Sequence, residues 1–265
     1  MLSLARRIGY RHWQRFHGVR RLELATLLRY LELSPGQRIL DVGSGKGAFA
    51  GALARGGLRP VGADPSLAAV AIAKRWVDGD GRFLLAAGEA LPLASESFDR
   101  AVSVCVLEHT RDDALVLAEV RRVLKPGGLF ALTVDCLNSP HVEEAFRRHH
   151  VSEYRCNQLY DDTRIRELLR EAGFEVLGSR YLFTGRLAIA ILRWGSRFHY
   201  RGPFILLFPV IYPFLWIDHI FGEGRRSGMI LAVKARKALV IPSEARDLLS
   251  SAQSGADPSS RRSSG

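Results

Sequence analysis

Cysteine is scarce in this 265-residue chain: three thiols, Cys105, Cys136 and Cys156, with no CxxC pair and no zinc-ligand spacing. A disulfide scaffold and a zinc ribbon are disfavoured, and reduced thiols of a cytosolic protein are the expectation. Acidic charge is also short. Only 27 Asp and Glu stand against 38 Lys and Arg, a formal net charge of +11. That balance favours an anionic partner, either nucleic acid or acidic lipid headgroups, and does not choose between them. No uninterrupted apolar run follows the basic N-terminus, so no secretory signal is expected. Internal repeats are lacking. So is a run long enough for a membrane-spanning helix: the uncharged stretch 202–217 falls short of the ~20 residues required, and Pro209 and Pro213 interrupt it. What is present, 47% hydrophobic and 25% charged residues, suffices for one globular domain with additions.

The most informative stretch is Ile39-Leu40-Asp41-Val42-Gly43-Ser44-Gly45-Lys46-Gly47-Ala48-Phe49-Ala50. An apolar run breaks into a glycine-spaced turn that runs straight into a helical pattern, so it reads as a strand, a tight loop and a helix N-terminus. Glycine permits positive φ and removes the Cβ atoms that would keep a ligand off the backbone. Gly43, Gly45 and Ala48 also satisfy the dinucleotide spacing G-x-G-x-x-G/A, with Asp64 roughly 20 residues on. Asp41 discriminates between ligands. A carboxylate there repels a pyrophosphate on the helix N-terminus and attracts an ammonium group.

From Arg38 to Asp135 the chain alternates short strands and helices, the pattern of a parallel sheet covered on both faces. Strands are expected at 38–42, 60–63, 82–86, 99–105 and 128–135, with helices at 46–56, 66–77 and 112–123. Asp41, Asp64, Glu89 and Glu108 then fall at or just after strand ends, where ligands bind in such sheets.

The pattern Asp41-x-Gly43-x-Gly45-x-Gly47, followed by Val61-Gly62-Ala63-Asp64-Pro65-Ser66, resembles the S-adenosylmethionine (SAM) site of class I methyltransferases. Ala87-Gly88-Glu89-Ala90-Leu91-Pro92, Ser97-Phe98-Asp99, Val106-Leu107-Glu108-His109 and Leu124-Lys125-Pro126-Gly127-Gly128 extend the likeness, in order, to the group that includes the ubiquinone and menaquinone methylases. The resemblance implies a Rossmann-like, seven-stranded, mostly parallel sheet with helices on both faces. It also implies SAM held by Asp41, Gly43, Ser44, Gly45, Gly47, Asp64, Pro65, Ala87, Gly88, Glu89, Val104 and Cys105, with Asp64 on the ribose hydroxyls. Two departures stand out. Ala87 replaces the Asp or Asn that often meets the adenine amino group, a loss of about 1 kcal/mol for one hydrogen bond. Cys105 replaces the first acid of the divalent-metal set that some quinone methylases carry with residues matching Glu108 and His109, so no metal is expected.

A sulfonium methyl is already activated, so transfer needs positioning and desolvation, with a base of near-neutral pKa for a hydroxyl or carbon nucleophile. His109 is the candidate base, with Glu108 orienting it. His149 and His150 are alternatives after the fifth strand, and each histidine also has a purely structural reading.

Residues 1–33 read as an N-terminal helical cap with a basic face, residues 34–237 as the methyltransferase unit and 238–265 as a disordered tail with a short helix at 243–249. A helix is expected from Thr163 to Phe174, then a sixth strand at 174–184. The last strand is delayed to 228–234, leaving an apolar helical insertion at 185–227. Its stretch 187–217 holds two apolar, aromatic-bearing pieces separated by Arg193, Arg197 and Arg201, which suits contact with a bilayer interface on the cytoplasmic side or burial as a lid or dimer element. The expected activity is SAM-dependent O- or C-methylation of a small hydrophobic or lipid-like acceptor. RNA methylation and a catalytically degenerate SAM-binding scaffold are the alternatives, and against RNA there is no base-stacking platform. The oligomeric state is not legible.

Overall fold

A computed structural model describes residues 18–55, 58–77, 82–200 and 202–239, with backbone alone at Gly18, Val19, Arg55, Trp76 and Ile205. The first part of the expected cap, residues 1–17, and the tail from 240 on, with its anticipated short helix, lie outside the described residues.

The chain order is α1 (Gly18–Leu31), β1 (Arg38–Val42), α2 (Ala48–Arg55), β2 (Arg59–Asp64), α3 (Leu67–Trp76), β3 (Arg82–Leu85), β4 (Phe98–Val104), a 3-10 turn (Leu107–His109), α4 (Asp113–Val123), β5 (Leu124–Asp135), α5 (Glu144–Tyr154), α6 (Asp162–Glu171), β6 (Phe174–Leu182), α7 (Arg186–Ser196), α8 (Pro203–Leu206), α9 (Phe208–Phe221) and β7 (Ile230–Lys237). Polar residues set several helix starts. Ser66 Oγ accepts from Ala69 N at 3.3 Å, Asp112 from Leu115 N at 2.9 Å and Asp161 from Arg164 N at 2.8 Å, each satisfying a donor that the first turn leaves open.

The seven strands form one sheet in the order β3-β2-β1-β4-β5-β7-β6, parallel except for β7, which runs antiparallel to β5 and β6. Strand alternation sorts the side chains. Leu40, Val42, Phe130, Leu132 and Val134 turn to the face covered by Val116, Leu117 and Val120 of α4 and Ile165, Leu168 and Leu169 of α6. Ile39, Val102 and Ala131 turn to the other face, under Leu27 and Leu31 of α1 and Phe49 and Leu53 of α2. The same parity places Asp41, Thr133 and Asp135 on the α1–α2 side.

Strand β5 begins at Leu124, four residues before the expected 128. Its pairing with β4 slips between Phe98 and Arg100 while Gly127 takes φ 73°, so Lys125–Gly128 is absorbed as a bulge inside the strand. The described residues of the insertion fold as three helices. Asp218 of α9 accepts from Thr184 N at 2.9 Å and Gly185 N at 2.6 Å, which ties α9 to the start of α7. Phe204, Phe208, Ile211 and Leu215 pack inward on Ala188, Ile189 and Leu192. Among the described residues no helix is long and apolar enough to cross a membrane.

Candidate active site

Strand order reverses between β1 and β4, so their carboxyl ends open a crevice at the switch point. The glycine loop lies at the end of β1. Gly43 N and Ser44 N both bond Ala63 O, at 2.8 and 3.0 Å, folding the loop onto β2. Gly43, Gly45 and Gly47 all have positive φ, at 69°, 53° and 76°, but for different reasons. A Cβ at Gly43 would sit 2.3 Å from Val106 Cγ2 and one at Gly47 2.8 Å from Phe83 Cζ, so these two glycines serve packing. A Cβ at Gly45 would have nothing within 4 Å. Gly45 is thus the position that leaves the backbone open to a ligand.

Asp64, at the end of β2, accepts from Gly45 N at 2.8 Å and Ser66 N at 2.9 Å. A carboxylate has about four lone-pair positions, so room remains for two hydroxyl donors. Pro65 is exposed beside it and Ser44 Oγ is buried without a hydrogen-bond partner. Asp41 is only 1% exposed, and its Oδ2 accepts from Ala50 N at 3.2 Å in the first turn of α2. Burial pushes its carboxyl up to about 7. Its first task is to hold loop and helix together, and an ammonium group would have to reach it through that loop.

The loop after β3 closes the other side. Ala86 N bonds Asp64 O at 3.1 Å, Ala87 is exposed, Gly88 packs near Val42 and Val116, and Glu89 accepts from Arg111 N at 3.3 Å. Val104 ends β4, and Cys105 turns the chain with φ 51°. This arrangement gathers the residues expected from sequence for the cofactor around the ends of four strands.

The expected Glu108–His109 pair is not brought together as a dyad. In the 3-10 turn Glu108 points inward, fully buried, and accepts from Asp135 N at 3.2 Å. His109 is exposed, with Nδ1 3.5 Å from Arg155 O. Successive residues of so tight a turn cannot share a face.

Instead, Glu108 joins a cluster that the sequence reading caught only in part. Asp135 Oδ2 lies 2.8 Å from His150 Nε2 and 3.9 Å from Cys156 Sγ. Glu23 of α1 is fully buried, paired with Arg20 Nη1 at 2.7 Å and 3.8 Å from Cys105 Sγ. Burial, and next the neighbouring Asp135, hold Glu108 well above the usual carboxylate range, and burial raises Glu23 despite Arg20. Glu108 Oε2, Glu23 Oε1 and His150 Nδ1 are buried without hydrogen-bond partners. Asp135 was missed although it ends its strand as Asp64 does, which was a usable signal. Glu23 was not findable, because an i,i+3 pair with Arg20 reads as a surface pair.

Two donor sets, Asp135/His150/Cys156 and Cys105/Glu108/Asp135, each lie within 4.8 Å of one another. Each includes a thiol, which does not suit a magnesium ion.

Residues 40–132 match the methyltransferase-domain family. Residues 40–132 are a methyltransferase domain. The chain is 38% identical over 126 residues to an uncharacterized methyltransferase of Mycobacterium ulcerans (strain Agy99), covering 45% of this chain and 49% of that protein. It is 37% identical over 126 residues to one of Mycobacterium avium (strain 104), covering 45% and 50%. The chain thus spans about half the length of these curated relatives. Among solved structures, the methyltransferase domain and its additions resemble phosphoethanolamine N-methyltransferase 2 of Haemonchus contortus in complex with SAM. The TM-score is 0.62 at 24% identity, over 82% of this chain and 52% of that one. Geranyl diphosphate C-methyltransferase of Streptomyces coelicolor A3(2) gives 0.60 at 15% identity, over 81% and 75%. These structural likenesses establish the fold.

Proposed function

We propose that the chain transfers a methyl group from SAM to an oxygen or carbon of a hydrophobic acceptor, with residues 34–237 as the working unit beneath the N-terminal helix. The observation that carries this reading is the buried cluster Glu23–Glu108–Asp135–His150 at the strand ends beside the glycine loop. The open backbone at Gly45 and the spare lone pairs of Asp64 fit the ribose and amino-acid portion of SAM, with Ala87, Gly88 and Glu89 on the adenine side. Bound there, SAM supplies an activated methyl for in-line displacement.

The chain's own residues then handle the acceptor. An ionised Asp135 can only accept, so His150 carries its hydrogen on Nε2 and leaves Nδ1 as a free base. Neutral Glu108, with Oε1 on Asp135 N, keeps a hydroxyl to donate at Oε2. Phe146 and Tyr154 flank the imidazole, with ring centroids 6.1 and 4.6 Å away, and exclude water from it. The base is therefore assigned to His150 rather than His109.

The acceptor's hydrophobic character, and peripheral contact with a membrane, are supported by α9. Its inner stripe is Phe208, Ile211 and Leu215, while Val210, Phe214, Ile217 and Phe221 form an equally apolar outer stripe, 46–74% exposed. A helix apolar on both sides needs a second apolar phase or partner. Two measurements test the proposal. With labelled SAM, counts should enter the organic phase of a membrane-lipid extract and not added RNA; counts in RNA alone would overturn it. Replacing Val210 and Phe214 with glutamate should weaken flotation with acidic vesicles at least about tenfold while leaving SAM binding intact, since each side chain contributes roughly 1.5–3 kcal/mol when buried. Unchanged flotation would contradict the membrane contact.

A further inference from the structure

A polar cavity separate from the strand-end cluster lies between α1, the edge strand β6 and the C-terminal end of α9, lined by Thr26, Arg29, Tyr30, Ser179, Arg180 and Glu223 among others. The Arg180 side chain is 9% exposed, and its Nε and Nη2 are buried without hydrogen-bond partners. Among the described residues its Nη1 meets only the largely exposed Glu223, at 3.8 Å, beyond hydrogen-bond distance. A buried guanidinium left this short of acceptors is costly, and the deficit points to an absent anion.

The surrounding charges agree. Arg29 supplies a second permanent positive charge at the cavity. Burial, then Arg180 and Arg29, push His219 down to about 4, so it is neutral at pH 7. Burial raises Tyr30, which remains a neutral hydroxyl. The nearby Asp218 is already spent on Thr184 N and Gly185 N. Two arginines thus face one weakly engaged carboxylate. Ile220 and Phe221, 40% and 74% exposed, lie next to Glu223 at the end of α9.

We propose that this cavity binds a phosphate group, carried by a small molecule or a lipid headgroup, with Arg180 as the buried donor fork and Arg29 and Tyr30 beside it. Guanidinium matches phosphate oxygens in pairs, and two arginines suit a group that can carry two negative charges. Glu223 holds the place that the anion would take. The site does not depend on the methyl-transfer reading.

The test is calorimetric titration of the full chain with inorganic phosphate, together with flotation on phosphatidic acid and phosphatidylcholine vesicles. Saturable phosphate binding is expected. Arg180→Gln should weaken it at least tenfold, and Glu223→Gln should strengthen it several-fold by removing the competing carboxylate. Melting curves and SAM binding check each variant, and should Arg180→Gln fail to fold, the exposed Arg29→Gln should still weaken phosphate binding several-fold. If phosphatidic acid vesicles also bind in an Arg180-dependent way that free phosphate competes away, the source is a lipid headgroup. Arg180-dependent phosphate binding with vesicle binding indifferent to Arg180 assigns the site to a soluble phosphorylated molecule. No saturable phosphate binding, or binding that ignores both arginines, overturns the proposal.

Discussion

Replacing His150 with glutamine is expected to lower the methyl-transfer kcat roughly 10²–10⁴-fold, the range that a positioned acid or base supplies, while SAM affinity changes little. The reasoning is geometric. Asp135 and His150 are held 2.8 Å apart, and both are nine-tenths buried as side chains. The carboxylate fixes the tautomer, and the free Nδ1 is buried. Glutamine keeps a donor toward Asp135 but removes the basic lone pair, so the packing survives and the base does not. His109→Gln should change kcat less than about threefold, because an exposed ring has little to lose. A large loss in the His109 variant together with a mild one in the His150 variant would return the base to the 3-10 turn.

Converting Asp41 to asparagine is expected to raise the melting temperature at pH 8 and leave it nearly unchanged at pH 4. The folded carboxyl keeps its proton to about 7, against an ordinary value of 3.8. Between those limits the folded chain binds more protons than the unfolded one, so wild-type stability falls as pH rises from about 4 to 7 and stays reduced above it. The full span sets an upper bound of about 4 kcal/mol. Asparagine still accepts from Ala50 N through Oδ1 and carries no charge to desolvate. The same variant should bind SAM more weakly at pH 8, because only an ionised Asp41 attracts the ammonium group. Equal melting curves at both pH values would show that Asp41 is not held protonated.

Much of the sheet was legible because its strands are short apolar runs with glycine or aspartate at their ends, as at Asp41 and Asp64. The bulge at Lys125–Gly128 was not, because a Pro-Gly-Gly segment reads as a turn until pairing with β4 absorbs it. The cofactor loop was visible in its glycines, though only the structure separates Gly45, which faces open space, from Gly43 and Gly47, which make room for Val106 and Phe83. The acceptor cluster was the least legible part. Glu23, Asp135 and His150 lie on three different elements, and no spacing in the sequence brings α1 over the ends of β4 and β5. Likewise Arg29 and Arg180, far apart in sequence, come together only because α1 and the edge strand line one cavity.

The most direct test of the central claim is calorimetric titration of the 265-residue chain with SAM, wild type against Asp64→Ala. One saturable site that the variant weakens at least about tenfold, or 1.4 kcal/mol, is the predicted result. Absence of saturable binding in the wild type, or binding that Asp64→Ala leaves untouched, would contradict the assignment of the glycine loop and the end of β2 to SAM.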